Sequence, residues 1–215
     1  MVTEVLPDVP YLQIVFTLPK ILRKHFLFDR ALYGELSRVA YAATREFFAS
    51  KFPTVEGAVP GMIVAPQSFG KLLNPHAHLH SVVSLGVFDP EGKFHAAPGD
   101  LDFTPLEELF GEQTLKMMLK REAITAERVE LLRSWNHSGF HLNTQRRVPV
   151  GDRESLESLL QYIERPPVSL RRRTYRDDGM VHYQGGKFHP GLGRDHQLVT
   201  PVEFLAMLVP HIALR

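Results

Sequence analysis

Residues 74–88 read NPHAHLHSVVSLGVF, and the alternation inside this run decides the fold. Successive side chains on a strand point to opposite faces. His76, His78 and His80 therefore share one face, which continues through Val82 and Ser84. Ala77, Leu79, Val83, Leu85 and Val87 form the other, an apolar row that belongs against a core. The histidines project from the opposite side of the sheet, where a partly open site can form. Asp89-Pro90-Glu91-Gly92 then turns the chain into a short partner near 93–96, a hairpin signal.

Before this strand, residues 11–18 (YLQIVFTL) are β-branched and aromatic and end at Pro19, which predicts a first strand. Residues 20–50 keep helical spacing through Leu32, Leu36, Val39, Ala40 and Ala43, which predicts one long helix or two short ones. A second strand is expected over 62–67, with Pro66 marking an edge or a bulge. After the hairpin, 105–133 is helical in composition and 138–142 has room for a further strand. Leu156, Leu159, Leu160 and Ile163 give 153–164 an apolar stripe, with Asp152 as N-cap and Pro166-Pro167 as the stop. Residues 168–200, with five glycines, are expected to be a looser connector, followed by a last amphipathic helix over 201–211. The expected class is α+β: an antiparallel sheet with helices packed mainly on one face.

Composition excludes several function classes. Of the 215 residues 44% are hydrophobic and 23% charged, which rules out a disordered or fibrous chain. Lys+Arg 25 against Asp+Glu 24 leaves +1, so any case for a nucleic-acid partner must be local. The absence of cysteine removes disulfides, thiolate zinc sites and cysteine nucleophiles. The first residues lack the order of a signal peptide, and no apolar run reaches the roughly 18 residues of a membrane span. A cytoplasmic protein with no membrane partner is expected.

Two features carry chemistry. Imidazoles two residues apart on a strand, as at His78 and His80, can converge on one divalent ion. A third ligand must come from elsewhere; Gln67, at the end of the preceding strand, is the first candidate and His76 the second. Tyr162 lies at the border of the apolar stripe of its helix, where a ring can pack on the core while its hydroxyl meets a cleft. Directly after it, RPPVSLRRRTYR places Arg165, Arg171, Arg172, Arg173 and Arg176 beside Tyr175 with no carboxylate, a mix suited to phosphate contacts and base stacking. A metal to polarise a phosphate, a tyrosine to attack it and arginines to hold the strand make one coherent chemistry.

These residues resemble a known family. His78-Leu79-His80 matches the His-hydrophobic-His motif of HUH endonucleases, with Tyr162 downstream on a helix. The remainder is similar to the rolling-circle transposases of bacterial insertion sequences and common-region elements. The similarity runs through YLQIVFTLPKILRKHF, FGKLLNPHAHLHSVVSLGVF, WNHSGFHLNTQRRVP, YIERPPVSLRR and TPVEFLAMLVP. The resemblance implies a ferredoxin-like sheet bearing the metal site, Mg²⁺ or Mn²⁺ as the ion, and a bacterial cytoplasmic setting. It also implies single-stranded DNA at element ends and target as substrate, with Tyr162 as nucleophile and a 5′-phosphotyrosine intermediate. It places the metal pair on His78 and His80, and the position of Gln67 is polar in relatives, in agreement with its candidacy as third ligand; the charge of the run assigns DNA contacts to Arg165, Arg171, Arg172 and Arg173.

Ser158 stands where some members have a second tyrosine, so the single-tyrosine type is expected. Residues 1–215 are expected to form one catalytic domain that is partial, without the cysteine-rich zinc module and the C-terminal continuation of its relatives. Residues 135–140 are expected to be a structural strand with a buried tryptophan. The competing functional expectation is an inactive remnant that still binds single-stranded DNA; a zinc hydrolase of small molecules is a further one. A replication initiator would share the mechanism and differ in its biology.

Overall fold

In the computed structural model, which describes residues 5–70, 72–164, 166, 168–189 and 193–212, the apolar row of the histidine strand packs where its alternation requires. Strand β1 (Tyr11–Thr17) leads into two single-turn helices, α1 (Lys20–Arg23) and α2 (His25–Phe28), and the long helix α3 (Ala31–Lys51). Strands β2 (Met62–Phe69) and β3 (Pro75–Ser84) come next, then the hairpin β4 (Gly86–Phe88) and β5 (Phe94–Ala96). Helices α4 (Thr104–Lys120) and α5 (Ala126–Arg133) precede short strands β6 (His141–Asn143) and β7 (Arg147–Val148) and helix α6 (Arg153–Ile163). A 3₁₀ turn (Leu170–Arg172) opens the last part: β8 (Arg173–Tyr175), β9 (Val181–His189), β10 (Arg194–Val199), α7 (Pro201–Leu208) and a 3₁₀ turn (Val209–His211).

The main sheet runs β2-β3-β1-β6, with β7 also on β1, and every pairing is antiparallel. With helices between β1 and β2 and between β3 and β6, this is the ferredoxin-like split βαβ order. On one face Leu12, Ile14 and Phe16 of β1 and Ala77, Leu79 and Val83 of β3 join the helices, through residues such as Leu36, Phe47, Phe110 and Met118. On the other face Tyr11, Val82 and Val148 receive Leu156, Leu159 and Ile163 of α6. Helices therefore lie mainly on one face, as expected, and α6 is the one that covers part of the other.

Pro66 sits on the edge strand β2, where its missing N–H costs no ladder bond, and the register shifts between Gln67 and Phe69. The strand expected to continue through 88 ends at Ser84. The Ser84 hydroxyl accepts from the Gly61 amide and donates to the Gly86 carbonyl, and the chain leaves the main sheet to build the β4–β5 hairpin. Where one long helix or two short ones were expected over 20–50, three form, the last beginning where the Ala31 amide donates to the Asp29 carboxylate. The helical stretch 105–133 is interrupted at Glu122, whose φ of 55° is left-handed, and restarts where the Thr125 hydroxyl accepts from the Arg128 amide.

The expected connector over 168–200 is a correction. Among its described residues it forms a three-stranded antiparallel sheet, β10-β9-β8. Its core is small, with Val181 and Tyr183 packing on Leu73 and Phe204. Two alternating apolar residues among many charges and glycines give little sequence signal. No helix among the described residues is long and apolar enough to cross a membrane.

His211 ties the last turn to the sheet. Its Nε2 donates to the Leu73 carbonyl at 2.9 Å, so Nδ1 accepts from the Ser68 hydroxyl, also at 2.9 Å. Burial pushes its pKa below 6.5; the Leu73 carbonyl opposes this and the Arg30 charge adds to it. The unfolded state then binds the extra proton first, so stability present above about pH 6.5 is lost as pH falls through the depressed folded value. Hydrogen exchange over 201–212, corrected for intrinsic rates, is expected to accelerate between about pH 7 and about pH 5, and His211→Gln to flatten that dependence.

Candidate active site

Register brings four polar residues into one row across the sheet. Gln67 of β2 pairs with His78 of β3, His78 with Thr17 of β1, and Thr17 with His141 of β6. The next row is Ala65, His80, Val15 and Asn143. Residues paired across strands share a face. His78, His80 and Gln67 belong to a cleft of about 1580 Å³ on that face, together with Gln13, Thr17, His141, Asn143 and Tyr162.

The histidines are ordered by a chain of hydrogen bonds. His78 Nδ1 meets the His76 carbonyl at 2.7 Å and must donate to it. His78 Nε2 is then an acceptor, 3.0 Å from His80 Nε2, and His80 Nδ1 lies 3.2 Å from the Gln13 amide nitrogen. Turning the Gln13 amide by half a turn would present its oxygen to His80 Nδ1 and move that proton there, leaving both Nε2 atoms deprotonated.

That arrangement fits a cation. Nitrogens bound at about 2.1 Å to adjacent corners of an octahedral ion stand about 3.0 Å apart, against about 3.4 Å on tetrahedral zinc. The Gln67 Nε2 donates to the Ile163 carbonyl at 3.1 Å, so Oε1 is the end with a lone pair to offer. Among the described residues no group of three or more His, Cys, Asp or Glu is placed to hold a metal, so the donor set here would be two imidazoles and an amide. His76 contributes its carbonyl, and its ring lies against that of His78 at 4.7 Å.

Tyr162 reaches the histidines through its helix. The Asp152 side chain caps α6 by accepting from the Ser155 amide at 3.1 Å, and Leu156, Leu159 and Ile163 anchor it on the sheet. Tyr162, one position before Ile163, stays 39% exposed with its ring edge-on to His80 at 5.6 Å. The structure thus brings Tyr162, His78, His80 and Gln67 together.

Six cations line the same cleft: Lys20, Arg23, Lys24, Arg146, Arg171 and Arg172, with no Asp or Glu among its described lining residues. Arg171 and Arg172 were expected. Arg173 is exposed on β8 and is not part of the lining, and Arg165 lies outside the described residues. Lys20, Arg23 and Lys24 were missed, although three cations within five residues after the first strand were a readable signal. Arg146 had none; the fold positions it, with Nη2 3.4 Å from the Ser158 hydroxyl. Trp135 overturns a further expectation. It follows α5 in a turn, 41% exposed, and Phe140 is the buried aromatic of that segment, packed on Phe110.

Comparison with known proteins gives the family of the chain. A model of the Y2_Tnp family, described as "Putative transposase", matches residues 61–214. The chain is 25% identical over 218 residues to the transposase for insertion sequence element IS801 of Pseudomonas savastanoi pv. phaseolicola, covering 96% of this chain and 52% of that protein. It is 26% identical over 224 residues to the putative transposase y4qJ of Sinorhizobium fredii (strain NBRC 101917 / NGR234), covering 95% and 55%. The chain therefore spans about half the length of the curated relatives it matches. No solved structure matches.

The anchoring of α6 can be tested. Leu159 is fully buried against the sheet, so Leu159→Ala is expected to cost about 2–5 kcal/mol in urea denaturation. Tyr162→Phe, which keeps the ring, is expected to leave stability within about 0.5 kcal/mol of the parent chain.

Proposed function

The chain belongs to the Y2_Tnp family of transposases, and from that premise we propose that it cuts and rejoins single-stranded DNA through a covalent link to Tyr162. The observation that carries this reading is a tyrosine edge-on to His80 of the His78–His80 pair, inside a cleft whose described lining has six cations and no carboxylate. Such a lining suits a chain of phosphates. Phe188, 61% exposed on the cleft wall, offers a face on which an unpaired base can stack.

In this mechanism His78, His80 and Gln67 would hold Mg²⁺ or Mn²⁺, which would supply positive charge against the scissile phosphate. Arg146, Arg171 and Arg172 hold neighbouring phosphates so that the backbone lies in line with Tyr162, positioning being most of what phosphoryl transfer requires. The Tyr162 oxygen attacks phosphorus. The new P–O bond joins the 5′-phosphate to the tyrosine, and the bond to the 3′-oxygen breaks to leave a 3′-hydroxyl. A 3′-hydroxyl on a second strand later attacks the phosphotyrosine, which joins the strands and regenerates Tyr162. Element ends and target sites would supply these two strands.

The test incubates the purified chain with labelled single-stranded oligonucleotides, including element-end sequences, with Mg²⁺, Mn²⁺ or EDTA, and resolves the products on a denaturing protein gel. A metal-dependent protein–DNA band is expected, absent with EDTA and with Tyr162→Phe. His78→Ala and His80→Ala are expected to lose the band and to retain the far-UV circular dichroism of the parent. A bound but uncut strand would support the DNA-binding remnant instead.

A separate measurement tests the cleft charges. Arg171→Ala and Arg172→Ala are each expected to lower the slope of log K against log salt by about 0.7, the value for one phosphate contact on a single strand. An unchanged slope would place the DNA elsewhere.

A further inference from the structure

The row that carries Gln67 and His78 ends at His141 on β6, a residue outside the chemistry described so far. His141 lines the same cleft, and its side chain is 68% exposed there. Its position is held from both ends. The Thr17 hydroxyl donates to the His141 carbonyl at 2.9 Å, and the ring Nδ1 lies 3.3 Å from the Glu107 carboxylate on α4. The same carboxylate oxygen accepts from the Leu142 amide at 2.8 Å, which locks Glu107 to the strand it serves.

A carboxylate beside Nδ1 supplies the countercharge for an imidazolium and leaves Nε2 on the open side for chemistry. Two strand spacings separate His141 from His78 on one face, about 10 Å between α-carbons. Side chains reaching from both positions can close on a single phosphate and its sugar.

Resting on the reading above, we propose that His141, oriented by Glu107, is the general acid for the leaving strand. As the Tyr162 oxygen bonds to phosphorus and gives its proton to solvent, the P–O3′ bond breaks and His141 Nε2–H passes its proton to the 3′-oxygen. In the joining step neutral His141 takes a proton from the attacking 3′-hydroxyl. The P–O3′ bond forms, the bond to the tyrosine oxygen breaks, and the phenolate recovers a proton from solvent.

The test compares an oligonucleotide cut by the wild-type chain with its twin carrying sulfur in place of the bridging 3′-oxygen, because a thiolate leaves without being protonated. His141→Gln is expected to slow cleavage of the oxygen substrate by about 100-fold or more and to cut the sulfur substrate within about threefold of wild type. Glu107→Gln, which can still accept from the Leu142 amide, is expected to show the same pattern with a smaller loss. Equal slowing on both substrates would overturn the proposal, because His141 would then be holding the strand or the fold. Wild-type rates in His141→Gln on both substrates would overturn it too while leaving the tyrosine mechanism standing. Absence of any covalent product from the wild-type chain would remove the tyrosine mechanism itself, and this proposal with it.

Discussion

The structure depends on the register between β1 and β3. From Tyr11 opposite Ser84 to Thr17 opposite His78, the ladder holds one face of β3 against the helices and turns the other toward the cleft. A slip of one residue would exchange the faces, driving His78 and His80 into the core and Leu79 and Val83 into the open site. Burial of Leu12, Ile14, Phe16, Leu79 and Val83 forbids that slip, since each loses about 1.5–3 kcal/mol on exposure. The core and the site are therefore one specification, written on alternate residues of one strand.

Helix α6 extends that specification to the tyrosine. Its apolar stripe closes on Tyr11, Val82 and Val148, residues of the polar face of the sheet beyond the last histidine. The stripe passes through Leu159 and Ile163, and Tyr162 falls beside them at the rim, next to His80. The Ile163 carbonyl, near the helix end, accepts from Gln67, so the helix that presents the tyrosine also orients the amide beside His78. Packing at one end of the sheet thus sets the geometry at the other.

Charge is organised on the same principle. A net of +1 says nothing about a polyanion, yet six cations from α1 and its flanks, from the segment before β7 and from the 3₁₀ turn converge on one cleft. The carboxylates that balance them are spent elsewhere: Asp29 on Arg121, Glu112 on Arg133 and Asp178 on Arg176, all exposed pairs. Glu107 stands at the rim, and it holds His141 and the Leu142 amide.

Much of this was legible in the chain. Strict alternation over 76–84 determined which residues face the core, the stripe of 153–164 determined a helix with Tyr162 at its border, and Pro66 marked an edge, because these signals are local and periodic. The tertiary structure decided what periodicity cannot carry. It split the helices at Asp29 and Glu122, where single side-chain and backbone conformations act. It paired β8, β9 and β10 into a sheet whose core draws on Leu73 and Phe204, residues outside those strands. It brought Lys20, Arg146 and His141 to the histidines, since strands adjacent in the sheet lie far apart along the chain. Local pattern determines which way a side chain points; only the pairing of distant strands decides what it meets there.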